Sequence, residues 1–314
     1  MTTGGSLDRW ADWLLHGRLR KAPRTHERRQ AAHLRRVRDR VLRGARMRRG
    51  NRMLDVGTGT GLLSLEARRR LGPDGMVVAL DVSLDCLTQC REAARAEEGS
   101  SRLALVQADT QALPFPDSSF DAVTARSVLI YVGDRVRAMR EFNRVLRPGG
   151  HASVFEPVNK EYAAPNVRPD DPALAPIRDA HDRVVSHMEA RSEFMEQMSS
   201  FDERDLLRDF EAAGFEDIEL VYEQRANTHM AEPWEAQTFI STRPDPGTMS
   251  YEEAAREVLG DDANAHLRRF AELVMATPYR LVVAWVFITA TKVTEPQGRR
   301  LPGNAPLDRN AKRV

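Results

Sequence analysis

The stretch Met53-Leu-Asp-Val-Gly-Thr-Gly-Thr-Gly61 decides the fold that we predict for this chain of 314 residues. It opens with a short apolar run, three glycines then stand at alternate positions, and apolar residues at helical spacing follow. Glycine lets the backbone turn sharply, and a ligand can approach it closely because no Cβ intervenes. This order of strand, glycine turn and helix indicates an α/β fold that binds a nucleotide-like ligand.

The spacing of the glycines narrows the choice of ligand. Dinucleotide-binding folds use G-x-G-x-x-G, whose turn receives a pyrophosphate, whereas the pattern here is G-x-G-x-G. Asp55 precedes the glycines, and its carboxylate would repel a diphosphate but suits a ligand with a cationic amine. Asp81 ends the next apolar run, 20 residues beyond Gly61, where a carboxylate can accept both ribose hydroxyls. Asp109 and Thr110 follow the third run, where they can meet an adenine amine.

Outward from the turn, short apolar runs alternate with helical stretches between residues 51 and 157. The runs cover residues 52–56, 76–82, 103–107, 120–125 and 151–155, and the helical stretches cover 61–71, 84–97 and 134–146. Alternation of strand and helix at this spacing predicts a parallel sheet covered by helices. Right-handed crossovers place the carboxyl end of every strand at one edge of that sheet, where such folds bind ligands.

The alternation breaks after residue 157 and resumes only in part. We expect strands at 215–223 and 280–291, and a helix that begins at a capping box of Ser200 and Glu203 and ends at Gly214. Both inserts, with two helices in the second, follow strands and are expected to cover the ligand as lids. The predicted division is a basic helical segment (1–50), the core (51–157), a helical insert (158–200), a core helix and strand (201–225), a second helical insert (226–278), a last core strand (279–293) and a disordered tail (294–314).

The composition is that of a globular, enzyme-sized protein. Hydrophobic residues make up 41% of the chain, and 47 Lys and Arg nearly balance 46 Asp and Glu. The balance hides an asymmetry, because residues 18–52 hold fifteen Lys and Arg against two acids, a local charge of +13 (15 − 2). The same run contains an apolar stripe at helical spacing. We therefore interpret it as an arginine-rich helix packed on the core.

Three features bear on the cellular compartment. No run of 18 uncharged apolar residues exists to span a membrane, and the first residues lack the basic region and cleavage site of a secretory signal. The two cysteines, Cys86 and Cys90, stand four residues apart in one helical stretch and are expected to remain reduced thiols. These features predict a cytoplasmic protein.

Five blocks of the sequence, in this order, resemble the class I S-adenosylmethionine-dependent methyltransferases. They are the glycine block from Asp55 to Gly61, Asp81, Asp109, Leu113-Pro-Phe-Pro-Asp-Ser-Ser-Phe-Asp121 and Leu146-Arg-Pro-Gly-Gly150. Within that family the chain is most similar to the ubiquinone/menaquinone-methyltransferase-like group, which acts mostly on small molecules. The resemblance implies a Rossmann-like seven-stranded sheet of order 3-2-1-4-5-7-6 with an antiparallel last strand. It also implies S-adenosylmethionine as the cofactor.

The resemblance further implies which residues bind the cofactor. The glycine turn would hold the methionine part, Asp81 the ribose and Asp109 the adenine. Other roles stay open, because Asp55 can be structural or contact the methionine amine through water, Asp81 can cap a helix, and Asp109 can cap a turn. Arg126 can also bind a substrate carboxylate or form a structural ion pair. The full set is Asp55, Gly57, Thr58, Gly59, Gly61, Asp81, Val82, Asp109, Thr110 and Arg126.

Methyl transfer from a sulfonium needs alignment, exclusion of water and, for some acceptors, removal of a proton. A dedicated catalytic residue is therefore optional. The candidates are Tyr131 and Glu156, which follow the fourth and fifth strands, and His181, on the apolar face of the first insert. Tyr131 can instead pack beneath the cofactor, and His181 can instead be a buried core histidine. No Cys, His or Asp cluster has metal-ligand spacing, so no metal is expected.

We expect a methyltransferase that acts on a small molecule, with a homo-oligomer left open. The alternatives are a nucleic-acid methyltransferase that uses the basic segment and a cofactor-binding protein without transferase activity. Nucleic acid is disfavoured because no Asn/Asp-Pro-Pro-aromatic motif follows the fourth strand and neither cysteine stands where a pyrimidine-C5 nucleophile would. An NAD(P) dehydrogenase fits poorly, since the glycine spacing differs and no Tyr-x-x-x-Lys pair exists.

Overall fold

A seven-stranded sheet forms the centre of the molecule. The computed structural model describes residues 6–17, 23–96, 101–160 and 172–293. The strands are β1 (Arg52–Val56), β2 (Met76–Asp81), β3 (Arg102–Gln107), β4 (Phe120–Arg126), β5 (Leu146–Val158), β6 (Phe215–His229) and β7 (Tyr279–Lys292). Their order is β3-β2-β1-β4-β5-β7-β6; the first five are parallel, and β7 is antiparallel to β5 and β6. This order and the antiparallel last strand confirm the predicted fold class.

Helices cover both faces of the sheet. Two of them, α2 and α3, pack on one face, and α5 and α8 pack on the other. A π-helix at Trp13–Gly17 and 3-10 turns at Leu129–Tyr131, Pro172–Ile177 and Gly260–Asp262 supplement the α-helices. The α-helices are α1 (Arg9–Asp12), α2 (Arg24–Gly44), α3 (Leu62–Leu71), α4 (Leu84–Ala96), α5 (Arg135–Val145), α6 (Arg178–Glu189), α7 (Met195–Ser199), α8 (Glu203–Ala212), α9 (Pro233–Ser241), α10 (Tyr251–Leu259) and α11 (Ala263–Ala276).

Strand β1 shows how the core is divided. Met53 packs with the residues of α2 and α3, whereas Leu54 and Val56 belong to the cluster that holds Phe142 and Phe210. Successive side chains of a strand point to opposite faces, and four of the five residues of β1 are buried. A strand covered on both faces carries a continuous apolar run rather than an alternating one, which is the pattern seen in the sequence.

The basic helix α2 lies against the sheet. Val37 and Val41 are buried there, and the Arg40 guanidinium stacks over the ring of Phe287 at 3.8 Å. Arg40 also pairs with the Glu223 carboxylate. This packing agrees with the interpretation of an arginine-rich helix whose apolar stripe faces the core.

The two antiparallel strands are longer than predicted. The sequence indicates strands at 215–223 and 280–291, but β6 and β7 stay paired as far as His229 and Tyr279. Strand β6 therefore crosses the boundary expected at residue 225. Residues 224–228 are exposed, and backbone pairing at an exposed edge needs no apolar pattern. For this reason the sequence pattern ends before the strand does.

Helices beyond the sheet form a second apolar cluster. We call α6, α9, α10 and α11 the insert cluster; Val184, Ile240, Ala254 and Phe270 are almost completely buried in it. The second insert contains three α-helices rather than the two expected. The beginning of the basic run and the tail that we predicted to be disordered lie outside the described residues.

The start of α8 also differs from the prediction. The Asp202 carboxylate accepts the backbone N–H of Asp205 at 3.0 Å, and the Asp205 carboxylate accepts that of Asp202 at 3.0 Å. The expected pair of Ser200 and Glu203 is wrong by two residues, because a second pair has the same spacing and a carboxylate binds a helix N-terminus well. The predicted end is confirmed, since Gly214 follows the helix with a φ of +81°.

Substitution at Asp202 tests this helix start. Asp202→Ala removes the cap, and we expect the free energy of unfolding to fall by about 1 kcal/mol. Ser200→Ala is the matched control, and it should change that free energy by less than about 0.5 kcal/mol, as at an ordinary surface position. Urea unfolding of both variants measures the difference. Equal losses in the two variants would contradict the assigned cap.

Candidate functional site

The glycine turn adopts backbone angles that favour glycine. Gly57, Gly59 and Gly61 have φ values of +62°, +53° and +96°, a region that other residues rarely adopt. A Cβ at Gly57 would overlap the Val128 side chain, and one at Gly61 would lie 2.8 Å from the Cys90 sulfur. Gly57 and Gly61 thus allow close packing of the turn against the segment after β4 and against α4.

The buried Asp55 carboxylate holds this turn in place through hydrogen bonds. Three hydroxyl groups donate hydrogen bonds to it, from Thr58 at 2.8 Å, Ser64 at 2.6 Å and Thr124 at 3.0 Å. Asp55 is 1% exposed, and burial raises its pKa. Because protein hydroxyls occupy its oxygens, this placement supports the structural one of the two roles considered for Asp55.

The Asp81 carboxylate lies beside the turn. It accepts the backbone N–H of Gly59 at 2.8 Å and that of Ser83 at 3.0 Å, while burial raises its pKa. Helix α4 is capped by the Ser83 hydroxyl, which accepts the Cys86 N–H at 2.9 Å. Ser83 rather than Asp81 therefore caps this helix. Each carboxylate oxygen has a further lone pair, which a sugar hydroxyl can use.

Asp109 and Thr110 follow β3 at the same edge of the sheet. The Asp109 carboxylate accepts the backbone N–H of Gln111 at 2.8 Å, so the turn-capping role considered for it is present. Asp109 is nevertheless exposed and can bind a ligand as well. The Thr110 hydroxyl oxygen is buried and has no hydrogen-bond partner among the described residues. A buried hydroxyl without a partner is costly, so this atom marks a position for a polar atom of a ligand.

A cavity of about 480 Å³ lies at the carboxyl ends of β1 to β4. Its volume is within the range of about 300–1,000 Å³ that is typical of small-molecule sites. The structure brings nine predicted residues together in its lining: Gly57, Thr58, Gly59, Asp81, Val82, Asp109, Thr110, Arg126 and Tyr131. Four other predicted residues are not in that lining: Asp55, Gly61, Glu156 and His181.

Residues 8–17, which we call the N-terminal roof, contribute Arg9, Trp10, Trp13 and Leu14 to the lining of this cavity. Leu14 lies 3.4 Å from the position that a Cβ on Gly59 would take. The Trp13 indole N–H donates a hydrogen bond to the Arg243 carbonyl at 2.9 Å, which connects the roof to the second insert.

Asp8 anchors the roof beside the turn that carries Asp81. Its carboxylate accepts the Ser83 hydroxyl at 2.7 Å and the backbone N–H of Trp10 at 3.0 Å, and thereby caps α1. The Asp8 N–H donates to the Asp85 carboxylate at 2.7 Å. Ser83 therefore contacts both Asp8 of the roof and Asp81.

Aromatic rings meet where the roof reaches the turn after β4. The ring centroid of Trp10 lies 5.2 Å from that of Tyr131 and 5.4 Å from that of Phe194. Trp13 lies 6.0 Å from Tyr131. Sequence reasoning missed the roof and Phe194 because they belong to none of the motifs. The signal that can reveal the roof is the spacing of Trp10, Trp13 and Leu14, which places three apolar side chains on one helical face.

Glu156 lies behind the cavity rather than in it. Its fully buried carboxylate accepts the backbone N–H groups of Val128 and Leu129 at 2.9 Å and that of Ile130 at 3.3 Å. Burial raises its pKa to about 7, although these three bonds act in the opposite direction. The carboxylate holds the turn that carries Tyr131. This placement supports a positioning role for Glu156 rather than proton transfer.

The raised pKa of Glu156 predicts a pH-dependent stability. The folded protein binds more protons than the unfolded chain between the ordinary pKa of 4.5 and the folded value of about 7. The contribution of Glu156 to the free energy of unfolding should therefore fall as the pH rises through this range, by on the order of 3 kcal/mol. Glu156→Gln should remove this dependence, as measured by urea unfolding from pH 5 to 8.

Glu141→Gln is the control for that series. The pKa of Glu141 is lowered, first by its hydrogen bond to Arg144, so its titration lies below the range tested. The slope in the control should match that of the unsubstituted protein. An unchanged slope in Glu156→Gln would contradict the raised pKa.

His181 lies in the insert cluster. Its Nδ1 is 2.8 Å from the Tyr251 hydroxyl oxygen, which in turn is 2.8 Å from Nε2 of His266. The hydroxyl can donate to only one ring, so the other ring donates to it. The His181 ring also stacks on Phe270, with 5.3 Å between centroids. Burial lowers the pKa of both histidines. This placement supports the alternative of a core histidine.

The lowered pKa of His181 predicts acid sensitivity. Below its ordinary pKa of 6.5, His181 binds fewer protons in the folded protein than in the unfolded chain, so its contribution to the free energy of unfolding falls as the pH falls. His181→Asn removes this contribution, so its free energy of unfolding at pH 5.5, relative to that at pH 7, should be higher than in the unsubstituted protein. His187→Asn, on the same helix and paired with Glu257, is the matched control and should behave like the unsubstituted protein. Thermal unfolding measures the series, and equal acid sensitivity in both variants would refute the assignment.

Comparison with known proteins relates the core of the chain to one family. Residues 54–154 match the family described as "Methyltransferase domain". These residues, which we call the methyltransferase domain after this match, are thus similar to that family. The ubiquinone/menaquinone biosynthesis C-methyltransferase UbiE of Cronobacter sakazakii is 40% identical over 125 residues, 38% of this chain and 50% of that protein. The UbiE protein of Pseudomonas paraeruginosa is 41% identical over 110 residues, 35% of this chain and 43% of that protein. The chain thus matches about half the length of these relatives.

A solved structure shares the fold of the methyltransferase domain and its surroundings. It is that of a Bacillus halodurans protein provisionally described as a methyltransferase, with a TM-score of 0.51 and 19% sequence identity. The match covers 82% of this chain and 99% of the other. At this identity the likeness concerns the fold alone.

Two further properties concern membranes and metals. Within the described ranges, no helix combines the length and apolar character needed to cross a membrane. In the same part of the chain, no three His, Cys, Asp or Glu side chains meet as potential ligands of a metal ion.

Proposed function

We propose that this protein is an S-adenosylmethionine-dependent methyltransferase that acts on a small molecule. The observation that carries the proposal is the single cavity in which the glycine turn, Asp81 and the unpartnered Thr110 hydroxyl meet within the methyltransferase domain. The name of the UbiE relatives assigns to them methyl transfer to carbon in ubiquinone and menaquinone biosynthesis. That reaction class supports methyl transfer as the activity of this chain.

The residues in the cavity fit this cofactor. The Asp81 carboxylate would accept the ribose hydroxyls, and the Thr110 hydroxyl would meet a polar atom of the adenine. The backbone at Gly57 and Gly59, which lines the cavity, would hold the methionine part, because a ligand can approach a glycine backbone closely. The glycines have no side chain to block a ligand, and Asp81 and Thr110 retain hydrogen-bonding capacity that a ligand can use.

When bound, the cofactor supplies an electrophilic methyl group on a positively charged sulfur. The contribution of the chain is to align the two reactants and to exclude water. The N-terminal roof lines one side of the cavity, and Glu156 holds the turn that carries Tyr131. We propose that the Tyr131 hydroxyl contacts the nucleophile of the acceptor.

Proton removal is proposed to need no dedicated base. Glu193, the carboxylate that lines the aromatic end of the cavity, pairs with Arg9. Glu156 is enclosed by three backbone N–H groups. An acceptor proton would therefore leave to water, and the rate would depend on alignment and desolvation. We also propose a cytoplasmic location, which is supported by two free, buried cysteines rather than a disulfide.

A labelled-methyl assay tests the proposed activity. The protein is incubated with methyl-labelled S-adenosylmethionine and a host extract that is separated into metabolites, RNA and protein. Label in the metabolite fraction is the expected result. Label in RNA or protein alone would contradict a small-molecule acceptor, and no label, together with no cofactor binding by calorimetry, would refute the proposal.

Substitution of Asp81 tests the binding site directly. Asp81→Asn removes the charge that would assist the hydrogen bonds from the ribose, so we expect S-adenosylhomocysteine to bind about 10- to 100-fold more weakly. Asp74→Asn is the matched control, since Asp74 is exposed in the turn that precedes β2, at the end of the strand opposite to Asp81. Its affinity should stay within about twofold. Calorimetry gives both constants, and equal affinities in the two variants would place the ribose elsewhere.

A further inference from the structure

The aromatic rings stand at one end of the cavity and the adenine-binding candidates at the other. Asp109 follows β3 and Tyr131 follows β4, and the order β3-β2-β1-β4 separates these strands by three strand spacings. At about 4.8 Å per spacing, the two ends lie roughly 14 Å apart. The glycine turn, after β1, lies next to the aromatic end.

Two contacts bring the rings close to the glycine turn. Leu14 of the roof lies over Gly59, and Trp10 is four residues before it in the same helical segment. On the other side, Val128 packs against Gly57, three residues before Tyr131. In the proposed function the sulfur joins the ribose at Asp81 to the methionine part at the glycine turn. The sulfur would therefore lie beneath Trp10 and Tyr131.

At this end of the cavity, the aromatic rings rather than the charged side chains are the groups suited to bind a positive ligand. The Glu193 carboxylate is already paired with Arg9, and the Arg9 guanidinium stands 5.4 Å from the centroid of Phe194. Arg126 adds a further positive charge to the lining. Aromatic faces attract cations, as Phe194 shows for Arg9, and Trp does so most strongly. The ring faces are thus the groups suited to stabilise a sulfonium here.

We propose that Trp10, with Tyr131, recognises the positive charge on the sulfur of the cofactor. This inference rests on the proposed function and deepens it. Transfer of the methyl group to the acceptor leaves the electron pair of the broken C–S bond on sulfur, which becomes a neutral thioether. Trp10 then stabilises the charged cofactor but not its demethylated product. The roof consequently favours the loaded state before transfer and releases the product after it.

The test compares two ligands that differ in this charge. Calorimetry measures the dissociation constants of S-adenosylmethionine and S-adenosylhomocysteine for the full chain and for Trp10→Leu, which keeps an apolar side chain but removes the ring. We expect Trp10→Leu to weaken binding of the charged ligand about tenfold more than that of the neutral one. Trp10→Phe, which keeps a smaller ring, should show an intermediate effect.

The control is Trp234→Leu, because Trp234 lies beside His26 and outside the cavity lining. It should change neither constant. Should Trp10→Leu fail to fold, Trp10→Phe and Tyr131→Leu carry the same comparison.

The possible outcomes separate this inference from the proposed function. A selective loss of affinity for the charged ligand supports it. Equal losses for both ligands would mean that Trp10 contributes apolar contact alone, and no loss would mean that it does not meet the cofactor; both overturn the inference and leave the proposed function intact. If the unsubstituted protein binds neither ligand, the proposed function itself fails.

Discussion

Beneath the glycine turn, the carboxylate of Asp55 receives hydroxyl hydrogen bonds from three separate elements: the turn itself, α3 and β4. A buried carboxylate without partners would be very costly, so the positions of these hydroxyls are strongly constrained. The turn above Asp55 in turn presents the Gly59 N–H to Asp81. The geometry of the binding site therefore depends on a polar network centred on a carboxylate that is not in the cavity lining.

Much of this arrangement can be predicted from the sequence, because local patterns dictate it. The strands buried on both faces give continuous apolar runs, and the left-handed turn requires glycine at fixed positions. The last residues of β6 could not be predicted, since backbone pairing at an exposed edge leaves no apolar pattern. The predicted cap of α8 differs from the observed one because two pairs, Ser200 with Glu203 and Asp202 with Asp205, have the same spacing. Only the folded structure shows which pair caps the helix.

The candidate catalytic residues show a different limit. Spacing places Glu156 just past the fifth apolar run, whereas the structure has it within β5, paired with Val286. Spacing also places His181 on an apolar helical face, as the structure has it. In neither case does spacing show which groups the side chain faces. Glu156 faces backbone N–H groups, and His181 faces Tyr251 in the insert cluster. Conversely, the roof reaches the cavity from outside residues 54–154, so the motifs of the methyltransferase domain give no indication of it. Which residues become neighbours across such distances is a property of tertiary packing.

Ser83 connects the N-terminal roof with the candidate ribose position. Its hydroxyl donates to Asp8, which begins the roof, and its N–H donates to Asp81, which lies at the candidate ribose position. The roof and the candidate ribose position therefore share one side chain. In the proposed function, occupancy of that position and docking of the roof would favour each other, because linkage between two sites is reciprocal. Whatever the bound nucleoside would contribute to docking of the roof, the docked roof would return as affinity for the nucleoside.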